Sequence, residues 1–388
     1  MSLFTKHHRL RWLAPAAAVT VVLGGSVLTE SLAASAAALP ERSPAQLLVD
    51  LQQARLDGLS GTVAHQADLG LPMVPGLGGQ PAGADPASLL SLAAGSHTLR
   101  IWYAGPDAAR LSVIGTLGQT DIIRSGRDLW TWDSRANKAT HRTLPANTAQ
   151  AGTAMETALP RSPQEAAELA LRGVGPTTEV TVEPPVRVAG RSAYELVLRP
   201  RDGRSLVGQV RVAIDGEHHL PLRVQVFAAG APKPALETAF TAVNFSRPEA
   251  SQFRFTPPPG AEVTEDRAEP STPPANAPSV PDRAAAGAVA DAGKPTVVGE
   301  GWMSVLVLPV PAEELAAASE STPLSAAIAA LPSVRGPWGS GRLLNGRLFS
   351  ALLTDDGRLL VGAVNADTLT ATAGQPAARI TVRPGVPK

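Results

Sequence analysis

The sequence predicts an α+β fold: one large, curved antiparallel sheet, left open as a half-barrel with helices in its concavity, followed by a small C-terminal α+β unit. Three observations carry this expectation. Short runs of period-two alternation recur from Leu99 to Phe255, the pattern of successive hairpins with one apolar face. Stretches with helical spacing are few, so helices cannot form a layer of their own and must cover the sheet. A Pro- and Ala-rich segment then separates these runs from a short final stretch with its own strand and hairpin signals.

The chain opens with Lys6, His7, His8, Arg9 and Arg11, an apolar run from Trp12 to Leu28, and small residues at Ala34, Ala36 and Ala38. A basic start, an apolar middle and a small-residue site are the parts of an export signal. Residues 1–38 are expected to be a signal peptide or an N-terminal membrane anchor. Either places the rest of the chain outside the cytoplasm, secreted or held at the outer face of the cytoplasmic membrane.

Residues 39–262 are expected to form the half-barrel. Ser43 suits an N-cap, Pro44 the first helical position and Gln46 the third residue of a capping box. Leu47, Leu48 and Leu51 follow at helical spacing, with Asp57-Gly58 as a stop. Similar starts at Ser162-Pro163-Gln164-Glu165 and Asp85-Pro86 predict two more helices. The strand runs hold Leu99, Ile101 and Tyr103; Leu111 and Val113; Ile122-Ile123 and Leu129 to Trp132 around the turn Ser125-Gly126-Arg127; and Tyr194, Leu196 and Leu198. They continue with Val210, Val212 and Ile214, then Leu222, Val224 and Val226 across a hairpin from Asp215 to Pro221. Phe240, Val243 and Phe245, then Phe253 and Phe255, form the last pair of short runs.

The helices fall in two insertions, residues 66–97 and 145–175. A sheet curled around so few helices has an apolar interior that its own side chains do not fill, which is how acyl-binding cavities arise. Ligand contacts are therefore expected from Leu99, Ile101, Tyr103, Leu111, Val113, Val210, Val212, Ile214, Leu222, Val224 and Val226 on the concave side, together with the strand pair Trp130 and Trp132. Residues 66–97 hold Leu69, Leu71, Met73, Val74 and Leu77 among Gly and Pro. They read either as a flap over the cavity mouth or as an insertion packed on the barrel end.

Residues 263–296 read as a disordered linker, having almost no large apolar group to offset ordering entropy. In residues 297–388 an apolar strand runs from Trp302 to Leu308, a helix opens after Pro311, and a hairpin brackets Asp355-Asp356-Gly357 with arms Leu348 to Thr354 and Arg358 to Val364. So small a unit has a thin core and is expected to dock on the first unit or on a partner.

Composition narrows function. The formal net charge is zero, which leaves no electrostatic footprint for nucleic acid. There is no cysteine, hence no disulfide, no thiolate chemistry and no Cys-ligated zinc. The seven histidines include no pair at i,i+4 around a Glu; they read as solvated turn residues, and no metal or cofactor is expected. No G-x-S-x-G elbow occurs, and Gly76-Leu77-Gly78-Gly79 lacks the Lys-Ser/Thr of a phosphate loop. An enzyme is not expected.

The stretch from Leu99 to Thr143 resembles the LolA/LppX/RseB superfamily of envelope lipid- and lipoprotein-binding proteins, in an actinobacterial LolA-like form. The resemblance lies in Tyr103-Ala104-Gly105-Pro106-Asp107, Arg110 to Val113, Ile122 to Trp130, Trp132 to Lys138, the hairpin of Val210 to Ile214 with Pro221 to Val224, and the exit Pro258-Pro259-Gly260. The C-terminal unit is similar to the small domain of RseB/MucB regulators at Gly301 to Val307 and Val361 to Val364. The resemblance implies a half-barrel that carries lipid or lipoprotein acyl chains. Its alternative implication is an envelope-stress regulator, acting on sigma factor control, that binds an anti-sigma factor or another membrane protein.

Overall fold

The computed structural model describes residues 39–71, 95–115, 118–144, 175–266, 295–310 and 328–375. The export segment, the helices expected near residues 85–95 and 162–171, the helix after Pro311, and most of the expected flap and linker lie outside these residues.

The first helix, α1 (Pro44–Gln53), starts where its side chains dictate. The Ser43 hydroxyl accepts from the Gln46 amide, and the Gln46 side chain accepts in return from the Ser43 amide at 2.9 Å. The helix ends at Gln53, short of Asp57-Gly58. Its Leu47 is fully buried against Tyr194, Leu196 and Ile214, with Leu48 and Leu51 beside it. Burial of a leucine at such a site contributes about 2–3 kcal/mol, more than the capping bonds do.

The strands of the first sheet are β1 (Leu59–Ala67), β2 (Gly95–Tyr103), β3 (Ala108–Ile114), β4 (Gln119–Ser125), β5 (Asp128–Asp133), β6 (Lys138–Thr143), β7 (Thr178–Val188), β8 (Arg191–Pro200), β9 (Val207–Asp215), β10 (Pro221–Ala228), β11 (Pro234–Asn244) and β12 (Glu262–Asp266). They form a 12-stranded sheet in the order β12-β6-β5-β4-β3-β2-β1-β11-β10-β9-β8-β7. The end strands β12 and β7 do not pair, so the sheet is an unclosed half-barrel. Register shifts interrupt β7 at Glu183/Val186, β1 at Thr62/Val63, and β10 at Pro221/Arg223 and again near Phe227. An extra residue on one strand bends it and increases its twist, which gives so wide a sheet its curl.

One pairing departs from the antiparallel expectation. β12 is parallel to β6, because the chain leaving β11 crosses the sheet and returns at its far edge. The crossing segment contains a 3-10 turn, Ala250–Phe253, where alternation had suggested a strand. Residues 263–266, expected in the linker, belong to this edge strand, and the linker's other end meets β13 at Thr296.

The second sheet has six strands, β13 (Thr296–Val298), β14 (Val305–Pro309), β15 (Ser333–Gly336), β16 (Gly339–Asn345), β17 (Ser350–Thr354) and β18 (Arg358–Gly362), in the order β13-β14-β18-β17-β16-β15. Its core joins Val305, Val307, Leu343, Leu352 and Leu360 to Leu369 of the helix α2 (Ala366–Ala373). It docks on one end of the half-barrel. The Leu206 amide donates to the Ala363 carbonyl at 2.8 Å, the Arg347 amide to the Leu69 carbonyl at 2.7 Å, and Trp302 Nε1 to Thr178 Oγ1 at 2.8 Å. Trp302 sits in the 3-10 turn Gly301–Met303, so the strand expected from that residue begins at Val305.

Candidate functional site

Cross-strand partners point to the same side of a sheet, so the registers sort the side chains into two faces. The inner face is the one that carries α1. One of its rows runs Val182, Leu196, Val212, Val224, Thr238, His65, His97 across β7, β8, β9, β10, β11, β1 and β2. A second runs Val63, Leu99, Val113, and a third Gly61, Ile101, Leu111, Ile122. Tyr103 pairs with Leu59 and Ala109 one step further on.

These rows bring together most of the residues expected to bind ligand. Leu99, Ile101, Tyr103, Leu111, Val113, Val210, Val212, Ile214, Val224 and Val226 share the inner face. Val113 and Ile214 are buried, whereas Leu99, Ile101, Leu111, Val210, Val212, Val224 and Val226 are only half-buried. α1 packs at the β7 to β9 end, over Tyr194, Leu196 and Ile214. A cavity of about 480 Å3 lies there, lined by Pro44, Pro176, Thr178, Val180 and Arg201. A second, of about 350 Å3, is lined by His65 and His97 and by Gln66, Ser96, Thr98 and Ile114, which alternate with them and belong to the opposite face.

Three expected residues go elsewhere. The register shift between Pro221 and Arg223 takes Leu222 out of alternation with Val224 and Val226. It packs instead with Val188, Ala193 and Ala213. Trp130 and Trp132 pair with Ile123 and Asp121, partners on the face opposite Leu111 and Ile122. There they meet the crossing segment, with Phe255 at 5.3 Å from the Trp130 ring and 5.9 Å from that of Trp132. His141 stacks on Trp130 at 4.4 Å. The two indoles thus hold residues 250–257 against the outer face.

The outer face also carries ion pairs. Arg110 bonds Asp121 at 2.6 Å beneath the crossing segment and donates to the Gln252 carbonyl at 3.4 Å. His141 bridges Asp128 and Glu265, each at 2.9 Å, and so ties β12 to β5 and β6. Burial works to lower the His141 pKa, but hydrogen bonds to the two carboxylates outweigh it and raise the pKa above its ordinary 6.5.

Three histidines overturn the reading of these residues as solvated turn groups, and one of them is His141 of β6. His65 and His97 are strand residues on the inner face, and His97 is 5% exposed. A signal for His97 lay in the sequence, since carrying the alternation of Tyr103, Ile101 and Leu99 back two residues reaches it. Among the described residues, no group of three or more His, Asp or Glu is placed to hold a metal ion.

No family model matches the chain, and no curated protein does. The chain is similar to several proteins of known structure. It is similar to MucB in the Pseudomonas aeruginosa MucA/MucB complex, at 16% identity and a TM-score of 0.41, over 85% of this chain and 96% of that one. A LolA-superfamily protein from Nitrosomonas europaea matches 55% of this chain and 99% of its own at 10% identity, with a TM-score of 0.21. An uncharacterised conserved protein from Thermus thermophilus matches 57% and 98% at 12% identity and 0.32. At these TM-scores the likeness carries no argument of its own, and the functional reading rests on the sheet and its inner face.

Proposed function

We propose that this chain binds acyl chains, of a lipid or of a lipoprotein, along the inner face of its half-barrel, outside the cytoplasm. The observation that carries this is the run of half-buried apolar side chains on that face, Leu99, Ile101, Tyr103, Leu111, Val210, Val212, Val224 and Val226, in a sheet whose end strands do not pair. Apolar groups left at the mouth of an open sheet are where an acyl chain gains most, since each buried CH2 contributes about 0.8 kcal/mol.

The test is displacement of a fluorescent fatty acid by saturated acids of increasing length. Affinity rises with each added methylene until the cavity is full. A flat dependence on length would remove the proposal. A second reading, a regulator that holds a membrane-protein partner, draws support from the second sheet docked at one end of the half-barrel, because a simple carrier has no need of it. A pull-down from solubilised membranes with the full chain and with a chain ending before residue 295 separates the two readings. The regulator loses its partner on truncation and keeps acyl binding, whereas the carrier keeps both.

A further inference from the structure

The second sheet docks across one end of the half-barrel, and the inner-face row nearest that end is apolar throughout. It runs Val180, Leu198, Val210, Val226, Leu236 and Ala67 over β7, β8, β9, β10, β11 and β1. Strands about 4.8 Å apart give the larger side chains of this row, Val180 to Leu236, a span of about 19 Å. α1 packs on Val180 and Leu198, yet every member of the row stays half-buried. The cavity of about 480 Å3 lies at the β7 end of the row, with Val180 in its wall. Arg201 lines the same cavity, and among the described lining residues no other is charged. The Arg201 amide donates to the Thr177 carbonyl at 2.9 Å, which fixes its backbone beside the start of β7. Its guanidinium has no hydrogen bond or ion pair among the described residues, while the neighbouring Asp202 is bonded by Arg204 at 2.6 Å. Glu179 turns to the opposite face as the cross-strand partner of Arg199.

We infer that Arg201 holds the acidic head group, a carboxylate or a phosphate monoester, of a ligand whose acyl chain lies along the row from Val180 to Leu236. The inference rests on the acyl-binding proposal and adds which end of the half-barrel takes the head group. A cavity of this size, with few polar anchors beside an apolar wall, has the form of a small-molecule site. The guanidinium fork matches two oxygens of a carboxylate or a phosphate. The Ser43 hydroxyl, also in the wall, already accepts from the Gln46 amide, so the partner of the anion is Arg201. The head group then sits between α1 and the sheet junction, where Thr178 of the same wall accepts from Trp302 Nε1.

Hexadecanoic acid, hexadecyl phosphate, hexadecanol and inorganic phosphate, titrated into the full chain at one pH in low and in high salt, test this. Arg201 is exposed, so the acids bind more tightly than the alcohol by about fivefold, the scale of an exposed charge pair. Salt screens that advantage and leaves the binding of the alcohol without such a loss. In Arg201→Gln the ratio of acid to alcohol affinity falls to one, while the alcohol binds as before. Arg201→Lys keeps the charge without the fork and gives an intermediate ratio. Arg204→Gln, at the neighbouring cation that bonds Asp202, leaves the ratio unchanged. Equal binding of acid and alcohol by the unaltered protein, or an unchanged ratio in Arg201→Gln, overturns the head-group site and leaves acyl binding standing. An equal fall in Arg204→Gln overturns it too, because the acids would then be drawn by surface charge at large. Failure of all the long-chain probes to bind removes the acyl-binding proposal and the head-group site together. Binding of inorganic phosphate without any long-chain probe likewise overturns the head-group assignment.

Discussion

Glu195 in β8 is 1% exposed, and Arg223 of β10 donates to its Oε2 at 3.0 Å across the intervening strand. Removing one partner of a buried pair leaves a charge without compensation and costs about 3–5 kcal/mol, whereas replacing both with apolar groups is often neutral. Arg223 is partly exposed, which places the expected loss for Arg223→Ala near the lower end, about 3 kcal/mol in urea unfolding. The double variant Glu195→Leu/Arg223→Met recovers most of it. Asp215, fully buried, is a second such position. Burial acts to raise its pKa, but hydrogen bonds from the Arg191 guanidinium and the His218 and Glu217 amides win, and the carboxyl sits below its ordinary 3.8. A depressed folded pKa contributes stability above the unfolded value, and that contribution is lost as pH falls through the folded one. Arg191→Gln is therefore destabilising at neutral pH, and its deficit against the unaltered protein shrinks as the pH is taken below 3.8. A deficit independent of pH would show that Arg191 acts by packing on Phe245, whose ring it covers at 4.8 Å.

At the scale of the element, α1 and β12 are held by different forces. In α1 the capping box is worth about 1 kcal/mol, so Ser43→Ala is mild. Leu47→Ala opens a cavity against Tyr194, Leu196 and Ile214 and costs about 2–5 kcal/mol, read as a lower urea midpoint. β12 depends on its parallel ladder with β6 and on His141 between Asp128 and Glu265. Because the folded His141 pKa is raised, its contribution is fully present below 6.5 and is lost as pH rises through the folded value. The melting temperatures of the protein and of His141→Gln should differ more at pH 5.5 than at pH 8.5, a window of about one unit or more on either side of the histidine pKa. An equal difference at the two pH values would mean that stacking on Trp130, not charge, makes the contribution.

For the whole molecule, the junction between the two sheets decides whether they move together. Its contacts are of unequal weight. Arg347 and Asp68 form an ion pair at 2.7 Å, but both are exposed, and such pairs are worth about 0–1 kcal/mol. Trp302 is half-buried and bonded to Thr178, and Gly301 beside it has φ +54. A Cβ at Gly301 meets the Thr177 side chain in a backbone conformation that L residues rarely adopt. Gly301→Ala and Trp302→Ala are expected to loosen the second sheet, seen as a larger radius of gyration in solution scattering. Arg347→Ala should leave the radius unchanged. Compact scattering from Gly301→Ala would move the weight of the junction to the backbone bonds at Leu206 and Leu69.

The sequence by itself determined the elements whose signals are local. The capping box of α1, the turn at Ser125-Gly126-Arg127 with Gly126 at φ 62, and the hairpin at Asp355-Asp356-Gly357 follow from side chains acting on their own backbone. Alternation also set most of the inner face, because one apolar side per strand must turn away from water. Other strands gave no such signal. β1 places Gly61 and His65 among its inward positions, and β7 carries Pro184 and Pro185, which suit an edge strand. Tertiary structure alone decided the rest. The shift at Pro221/Arg223 sent Leu222 away from its neighbours, and the crossing segment claimed Trp130 and Trp132 for the outer face. His65, His97 and Thr238 became neighbours only through pairing across β2, β1 and β11, over a sequence separation of more than a hundred residues. Periodicity reports which residues of one strand share a side, but register and chain crossing fix which strands those sides meet, and both are set by contacts distant in sequence.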